Sequence, residues 1–304
     1  MSRLALFVTG SAGQVGSDLQ ELAVGRDDVL GVRAVDLPDL DITDAAACRE
    51  ALADFAEWAR EADSGSRVVL VNCAAWTNVD GAEANEAGAF AVNAVGPAHL
   101  ARASTEVGAE MIHISTDYVF DGAGAPDGAS GVRPYEPDDP VGPINAYGRT
   151  KLAGEWAVRA ECDRSWVVRT AWVYGLTGGN FVKTIARLLR ERESLAVVDD
   201  QRGTPTWSRD LAASLLELAV SRARYGTYHL TGAGETTWYG FARAIAEEIG
   251  VDPRTVEPTT TDAFPRPAVR PQYSVLSHDA WVAQGLRPPR PWREALAARF
   301  APNA

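Results

Sequence analysis

The sequence predicts an α/β fold: a doubly wound parallel sheet with a smaller, irregular C-terminal lobe. Three observations carry that expectation. Short apolar runs alternate with helical patterns through the first half of the chain. A glycine-rich turn joins the first run to the first helical pattern. Beyond Asp252 prolines crowd together: Pro253, Pro258, Pro265, Pro267, Pro271, Pro288, Pro289 and Pro291. Repeated β-α units wrap a parallel sheet in helices, whereas proline, lacking an N–H, suits irregular connections. The chain has 304 residues, 46% of them hydrophobic, enough for one large α/β domain or a large domain with a smaller partner.

Taken in order, residues 4–8 are expected to form a buried strand and 14–23 a helix. Residues 32–35 make a second strand, ended by Asp36. Residues 43–60 are helical, with Thr43 or Asp41 as the cap. Residues 68–71, all Val and Leu, suit a strand covered on both faces. Residues 84–107 read as one long Ala-rich helix, 111–115 as the fourth strand, 147–160 as a helix and 166–169 as the fifth strand. After residue 173 the pattern loosens. Helices are expected over 180–192, 209–222 and 238–249, and strands over 196–198 and 226–230. The stretch 121–143 is rich in Gly, Pro and Asp and long for a passive connection, which favours a substrate lid or a mobile excursion.

Charge and composition exclude several function classes. A net charge of −12 argues against non-specific binding to nucleic acid or an anionic membrane. It leaves room for an anionic small ligand in a locally positive pocket. Three cysteines, Cys48, Cys73 and Cys162, form no CxxC and fit a reducing cytoplasm. The opening apolar run is too short for a signal-peptide core, and no stretch approaches the ~20 apolar residues of a membrane span. Four histidines, His99, His113, His229 and His278, lie far apart and make no metal motif. Each is expected to be a structural or surface residue.

The stretch "FVTGSAGQVG" places Gly10, Gly13 and Gly16 between the first strand and the first helix. A helix N-terminus offers free N–H groups and a positive dipole end, which suits a pyrophosphate. Gly10 permits the tight turn, Gly13 lets the backbone approach the phosphates and Gly16 lets the helix pack on the strand. Asp36 follows at the end of the second strand, about 20 residues on, where a ribose-hydroxyl acceptor belongs. These features predict a Rossmann-type dinucleotide site. A carboxylate repels a 2′-phosphate, so Asp36 leans toward NAD(H); Arg33 is near in sequence.

Tyr147 and Lys151 in "YGRTK" are i and i+4 and share one helix face. A free phenol has a pKa near 10, and a neighbouring cation is expected to lower it. A further donor should come from a strand end, where "HISTDYVF" offers Ser115, Thr116 and Asp117.

These stretches, with "NCAAWTNVD" (72–80), "STDYVFDG" (115–122), "RTAWVYG" (169–175), "GGNFVKT" (178–184), "DDQRGTPTW" (199–207), "GTYHLTGAGETTWYGFA" (226–242) and "RPQYSVL" (270–276), resemble the extended short-chain dehydrogenase/reductases, nearly end to end. The likeness is to the branch that reduces dTDP-4-keto-6-deoxy sugars with NADPH or NADH. It implies Tyr147 as proton donor to the 4-keto oxygen, Lys151 as its tuner and ribose ligand, and Thr116 as the hydroxyl that polarises the carbonyl, with Ser115 as the neighbour able to substitute. It implies that Gly10, Gly13, Gln14, Val15, Gly16, Asp36, Asp41, Ile42, Ala74, Ala75 and Trp76 line the dinucleotide, and that Thr77, Asp117 and Trp172 meet the sugar. Asn180, Lys183, Arg202 and Arg270 are candidates for the nucleotide diphosphate. Some members are dimers bridged by Mg²⁺ through glutamates. Asp18 in the first helix and Ser194 in "RERESLAV" do not supply that set, so a monomer or a homodimer is expected and Mg²⁺ is unsupported. The implied partition is a Rossmann domain over 1–172 with about 195–225, and a nucleotide-sugar lobe over about 173–194 and 226–304.

The same resemblance leaves three competitors to reduction of dTDP-4-dehydro-L-rhamnose. One is a 4-ketoreductase for another deoxysugar. Another is a non-catalytic regulatory subunit like the methionine adenosyltransferase β-subunit, against which Thr116, Tyr147 and Lys151 argue. The last is an epimerase or dehydratase. A dehydratase wants an Asp-Glu pair after the active hydroxyl, and here Tyr118 follows Asp117.

Overall fold

The first half of the chain runs β1 (Leu4–Thr9), α1 (Gln14–Ala23), β2 (Val29–Val35), α2 (Ala45–Ala62), β3 (Arg67–Asn72), α3 (Val79–Ala84), α4 (Glu86–Phe90), α5 (Gly96–Val107) and β4 (Glu110–Thr116). An antiparallel pair, β5 (Ala125–Pro126) and β6 (Val132–Arg133), precedes α6 (Ala146–Glu161), β7 (Ser165–Thr170), β8 (Val173–Tyr174), α7 (Phe181–Glu191) and β9 (Leu195–Val198). Then come β10 (Arg202–Gly203), β11 (Thr206–Trp207), α8 (Ser208–Val220), β12 (Gly226–His229), β13 (Thr236–Thr237) and α9 (Trp238–Glu248). The last elements are β14 (Val256–Thr259), α10 (Asp279–Val282) and α11 (Trp292–Phe300). The structure is a computed structural model and describes residues 3–127 and 131–301.

Six parallel strands form the central sheet in the order β12-β7-β4-β3-β1-β2. Every residue of β1 is buried, as a strand covered on both faces requires. Successive side chains alternate between two cores. Leu4, Leu6 and Val8 pack with Leu19, Trp166, Leu215 and Trp281 on one face. Ala5 and Phe7 pack with Leu52, Phe55, Leu100 and Val158 on the other. Each large side chain so buried contributes about 1.5–3 kcal/mol. A third core, with Val182, Ile185, Trp207, Phe241, Ile245 and Leu296, fills the C-terminal lobe.

The structure corrects four local expectations. Asp44 caps α2, its carboxylate accepting the N–H groups of Ala46 and Ala47. Asp41 instead closes the preceding turn onto the N–H and hydroxyl of Thr43. The single helix expected over 84–107 is interrupted: Asn85 caps α4, and residues 91–95 form a π turn. Within that turn the buried Asn93 side chain bonds both backbone groups of Trp76 and the Thr150 hydroxyl. An inserted residue of this kind leaves composition unchanged, so periodicity does not reveal it.

The other two corrections concern the partition. Residues 226–229, expected in the lobe, extend the central sheet beside β7. Residues 195–198, expected with the Rossmann domain, pair with β14 of the lobe. A short apolar run announces a strand but not its partner. In the stretch 121–143 the Tyr135 ring stacks on Phe120 at 4.1 Å and its hydroxyl donates to Asp121 at 2.5 Å. Residues 128–130 of that stretch lie outside the described residues. Among the described residues, no helix is long and apolar enough to cross a membrane.

Candidate active site

The strands of the central sheet open at their C-terminal ends onto a cleft of about 680 Å³. Its floor is the glycine turn. Gly10 sits at φ 67°, and a Cβ there would come within 2.4 Å of the Ala74 nitrogen. A Cβ on Gly16 would lie 2.3 Å from the Gly10 carbonyl oxygen. Both positions therefore require glycine for space, and Gly10 also for its left-handed backbone. Gly13 caps α1 without any side-chain hydrogen bond to the helix's first N–H groups. Those free donors, lined up with Gln14, Val15 and Gly16 along the cleft, fit a dinucleotide pyrophosphate.

Asp36, Asp41, Ile42, Ala74 and Ala75 line the same cleft. The Asp36 carboxylate accepts the N–H groups of Ala12 and Leu37, each at 2.9 Å. Trp76 does not line it. Its indole N–H donates to the Asn78 carbonyl, and its ring packs beside Ala82, Ala89 and Ala146. Leu37, Leu40, Cys73 and Val92 also line the cleft, residues whose apolar character singles out no role in a sequence.

Tyr147 stands in the first turn of α6, which Asn145 caps by accepting the Gly148 N–H at 2.8 Å. Burial pushes the phenol up to about 12, the Thr116 hydrogen bond pulls it down and the Asp117 charge opposes that pull. Lys151, one turn on, is buried and donates to the Ile114 carbonyl at 2.6 Å. Burial draws its pKa down to about 8, against the pull of Glu155. The expected lowering of Tyr147 by Lys151 is thus not what the geometry delivers: the ammonium is bound to the end of β4, and the phenol keeps its proton.

Thr116 and Ser115 face different partners. The Thr116 hydroxyl donates to Asp117 Oδ1 at 2.9 Å and neighbours Tyr147. Ser115 donates to Glu155 Oε1 at 2.6 Å, and Glu155 is locked bidentately to Arg169 at 2.8 Å. Sequence reasoning missed Glu155, although it continues the i, i+4 row of Tyr147 and Lys151.

Asp117 is 2% exposed, and its Oδ2 has no hydrogen-bond partner. Burial raises its pKa to about 6, against the lowering effect of the Ser274 and Thr116 hydroxyls. A carboxyl whose folded pKa is raised stabilises the fold below its unfolded pKa and loses that stability as pH rises through the folded one. Asp117→Asn removes the loss. The variant is therefore expected to unfold at higher urea than wild type at pH 7.5, by about 1–3 kcal/mol, with the gap closing near pH 4. Equal midpoints at pH 7.5 would refute a carboxylate whose hydrogen bonds fall short of offsetting its burial.

Thr77 and Trp172 line the cleft. Trp172 has φ 46° and stacks on Trp238, which also lines the cleft. The diphosphate candidates are not among the residues lining the cleft, and each has a protein partner. Asn180 caps α7 and donates to Gln14 Oε1 at 3.0 Å. Lys183 donates to the carbonyls of Leu176 and Gly178. Arg202 pairs with Glu235 at 2.8 Å. Arg270 pairs with Asp80 at 2.9 Å, its Nη1 buried without a partner. Asp18 accepts the Ser208 hydroxyl and is buried. The four histidines bond to Asn72, the Tyr135 and Ile42 carbonyls, and Thr231.

The chain is similar to known proteins along nearly its whole length. Residues 4–303 match the family described as RmlD substrate binding domain. The chain is 48% identical over 302 residues to dTDP-4-dehydrorhamnose reductase of Mycobacterium tuberculosis, covering 98% of this chain and 93% of that protein. It is 43% identical over 295 residues to dTDP-4-keto-6-deoxy-D-glucose reductase of Streptomyces niveus, covering 97% and 96%. The crystal structure of dTDP-4-dehydrorhamnose reductase from Bacillus anthracis in complex with NADP matches with a TM-score of 0.87 at 35% identity, covering 99% of each chain.

Proposed function

The chain belongs to the RmlD substrate-binding domain family, and on that premise we propose that it reduces the 4-keto group of dTDP-4-dehydro-L-rhamnose to give dTDP-L-rhamnose. The observation that carries the reading is the meeting of Tyr147, Thr116 and Lys151 with the glycine turn in one cleft. NADPH or NADH, when bound, supplies the hydride. The chain's own residues do the rest. Gly10, Gly13, Gln14, Val15, Gly16, Asp36, Asp41, Ile42, Ala74 and Ala75 hold the dinucleotide. Tyr147, still protonated at neutral pH, gives its proton to the ketone oxygen. Thr116, turning its single hydroxyl proton from Asp117, donates a hydrogen bond to the same oxygen, and Lys151 supplies positive charge one helical turn away. Asp117, with one free oxygen, accepts a sugar hydroxyl; Thr77 and Trp172 bound the sugar. The relative from Bacillus anthracis in complex with NADP supports NADPH as a cofactor. Three free cysteines support a reducing, cytoplasmic setting.

A second reading, reduction of another dTDP-4-keto sugar, is favoured by the Streptomyces niveus relative. Loss of absorbance at 340 nm separates the two. Wild-type protein is mixed with NADPH or NADH and dTDP-4-dehydro-L-rhamnose generated in situ, then with dTDP-4-keto-6-deoxy-D-glucose. Faster oxidation with the rhamnose precursor is the expected result. Cofactor binding without oxidation by either sugar would reject the reductase assignment.

A further inference from the structure

Trp172 is the one non-glycine residue with positive φ among the described residues, at 46°. A residue of that kind persists only where its surroundings over-determine it. Its ring lies 3.6 Å from that of Trp238 with the planes 10° apart. Gly203 presses on the same ring: a Cβ there would come within 2.7 Å of Cε2 and Cζ2. Gly203 has no positive φ, so its lack of a side chain answers to space alone. One ladder delivers both neighbours. β10 pairs antiparallel with β13, setting Gly203 opposite Thr236, and Trp238 follows directly on that strand. Phe181 of α7 backs Trp238 at 4.5 Å. The Trp172 carbonyl accepts the Thr206 N–H at 3.2 Å, holding the backbone as well.

We infer that Gly203 and Trp238 form a slot that fixes the plane of the Trp172 ring, and that this fixed ring aligns the nucleotide sugar in the cleft. Gly203, which does not line the cleft, is a positioning residue that acts through Trp172; Trp238 lines the cleft and also holds that ring. The inference deepens the proposed reductase function and rests on it.

The test uses the full chain in five forms besides wild type: Trp238→Ala, Trp238→Phe, Gly203→Ala, Trp172→Ala and the double variant Trp172→Ala with Gly203→Ala. Trp238→Ala and Gly203→Ala are each expected to raise the KM for dTDP-4-dehydro-L-rhamnose about 3- to 10-fold, the scale of one aromatic pair, and to spare the KM for NADPH. Trp238→Phe keeps a stacking ring and recovers most of the loss. The double variant is no worse than Trp172→Ala alone, because the second change acts only through the first. Gly203→Ala removes no aromatic group, yet it alters the near-ultraviolet circular dichroism of the ligand-free protein in the tryptophan region. Equal rises in both KM values, or losses that add in the double variant, would overturn the inference. Should wild type not turn over the sugar, the reductase reading falls by itself, and the Gly203→Ala spectrum still decides: an unchanged spectrum rejects the slot.

Discussion

Tyr147→Phe is expected to lower kcat by about 10²–10⁴-fold, the usual worth of a positioned proton donor, while the fold and the dinucleotide affinity stay as they are. The ring itself is structural. It meets Tyr118 edge-on at 5.5 Å and packs beside Ala82, Ala89 and Ala146, contacts that phenylalanine keeps. What disappears is a cleft-lining hydroxyl that interacts with Thr116. That hydroxyl, held up near 12 by burial, is fully protonated at neutral pH. The variant therefore tests proton donation and little else. Saturating kinetics measure the loss, and titration of cofactor fluorescence confirms binding. Undiminished kcat would remove Tyr147 from the mechanism.

The second large effect concerns stability. Glu155 is 0% and Arg169 2% exposed, and they meet through two hydrogen bonds of 2.8 Å. Ser115 donates to the same carboxylate. Arg169 also donates to the Pro137 carbonyl and lies over the Phe120 ring at 5.0 Å. Glu155→Gln leaves that guanidinium buried without a counter-charge. Loss of one partner of a buried pair costs about 3–5 kcal/mol, whereas replacing both by apolar groups is far milder. Urea unfolding of Glu155→Gln is expected to show the full loss, and Glu155→Leu with Arg169→Met to recover a large part of it. A single variant within about 1 kcal/mol of wild type would mean that water or rearrangement rescues the charge. The pair also bears on chemistry, since Ser115 precedes Thr116 and its bond to Glu155 ties the end of β4 to α6.

Much of the dinucleotide half was legible because its demands are local. Gly16 needs glycine because a Cβ there would meet Gly10, and the left-handed backbone of Gly10 is a demand of the turn itself, although the Ala74 nitrogen that crowds it lies far along the chain; Asp36 falls at a strand end set by the same spacing. Tyr147 and Lys151 were legible because a helix puts i and i+4 on one face. Their electrostatics were not, since the Lys151 partner is a carbonyl at the end of a strand 37 residues earlier. The protein partners of the diphosphate candidates were hidden for a related reason. Asn180 and Lys183 are residue types that bind phosphate, but they serve equally to cap and brace a helix, and only packing decides. Trp76 belongs to a segment that passes the cleft, yet the Asn93 side chain pins its backbone and the ring turns toward α6. Trp238 and Glu155 carried weak signals: one opens a helix, the other extends a row already noticed.

The place of β12 in the sheet governs how the chain is made. Its partner β7 is complete at Thr170, and β12 begins only at Gly226, after α7, β9 and α8 have been synthesised. At ordinary translation speeds of about 5–20 residues per second, the nascent chain spends roughly 3–11 seconds in that interval. Through it, one edge of β7 has no strand beside it. The edge belongs to "SWVVRT", which is buried throughout in the finished protein. An open, apolar strand edge is a template for pairing with another chain. Ribosomal stalling, or a message cut short before Gly226, prolongs that exposure, and association between unfinished chains would begin at this strand.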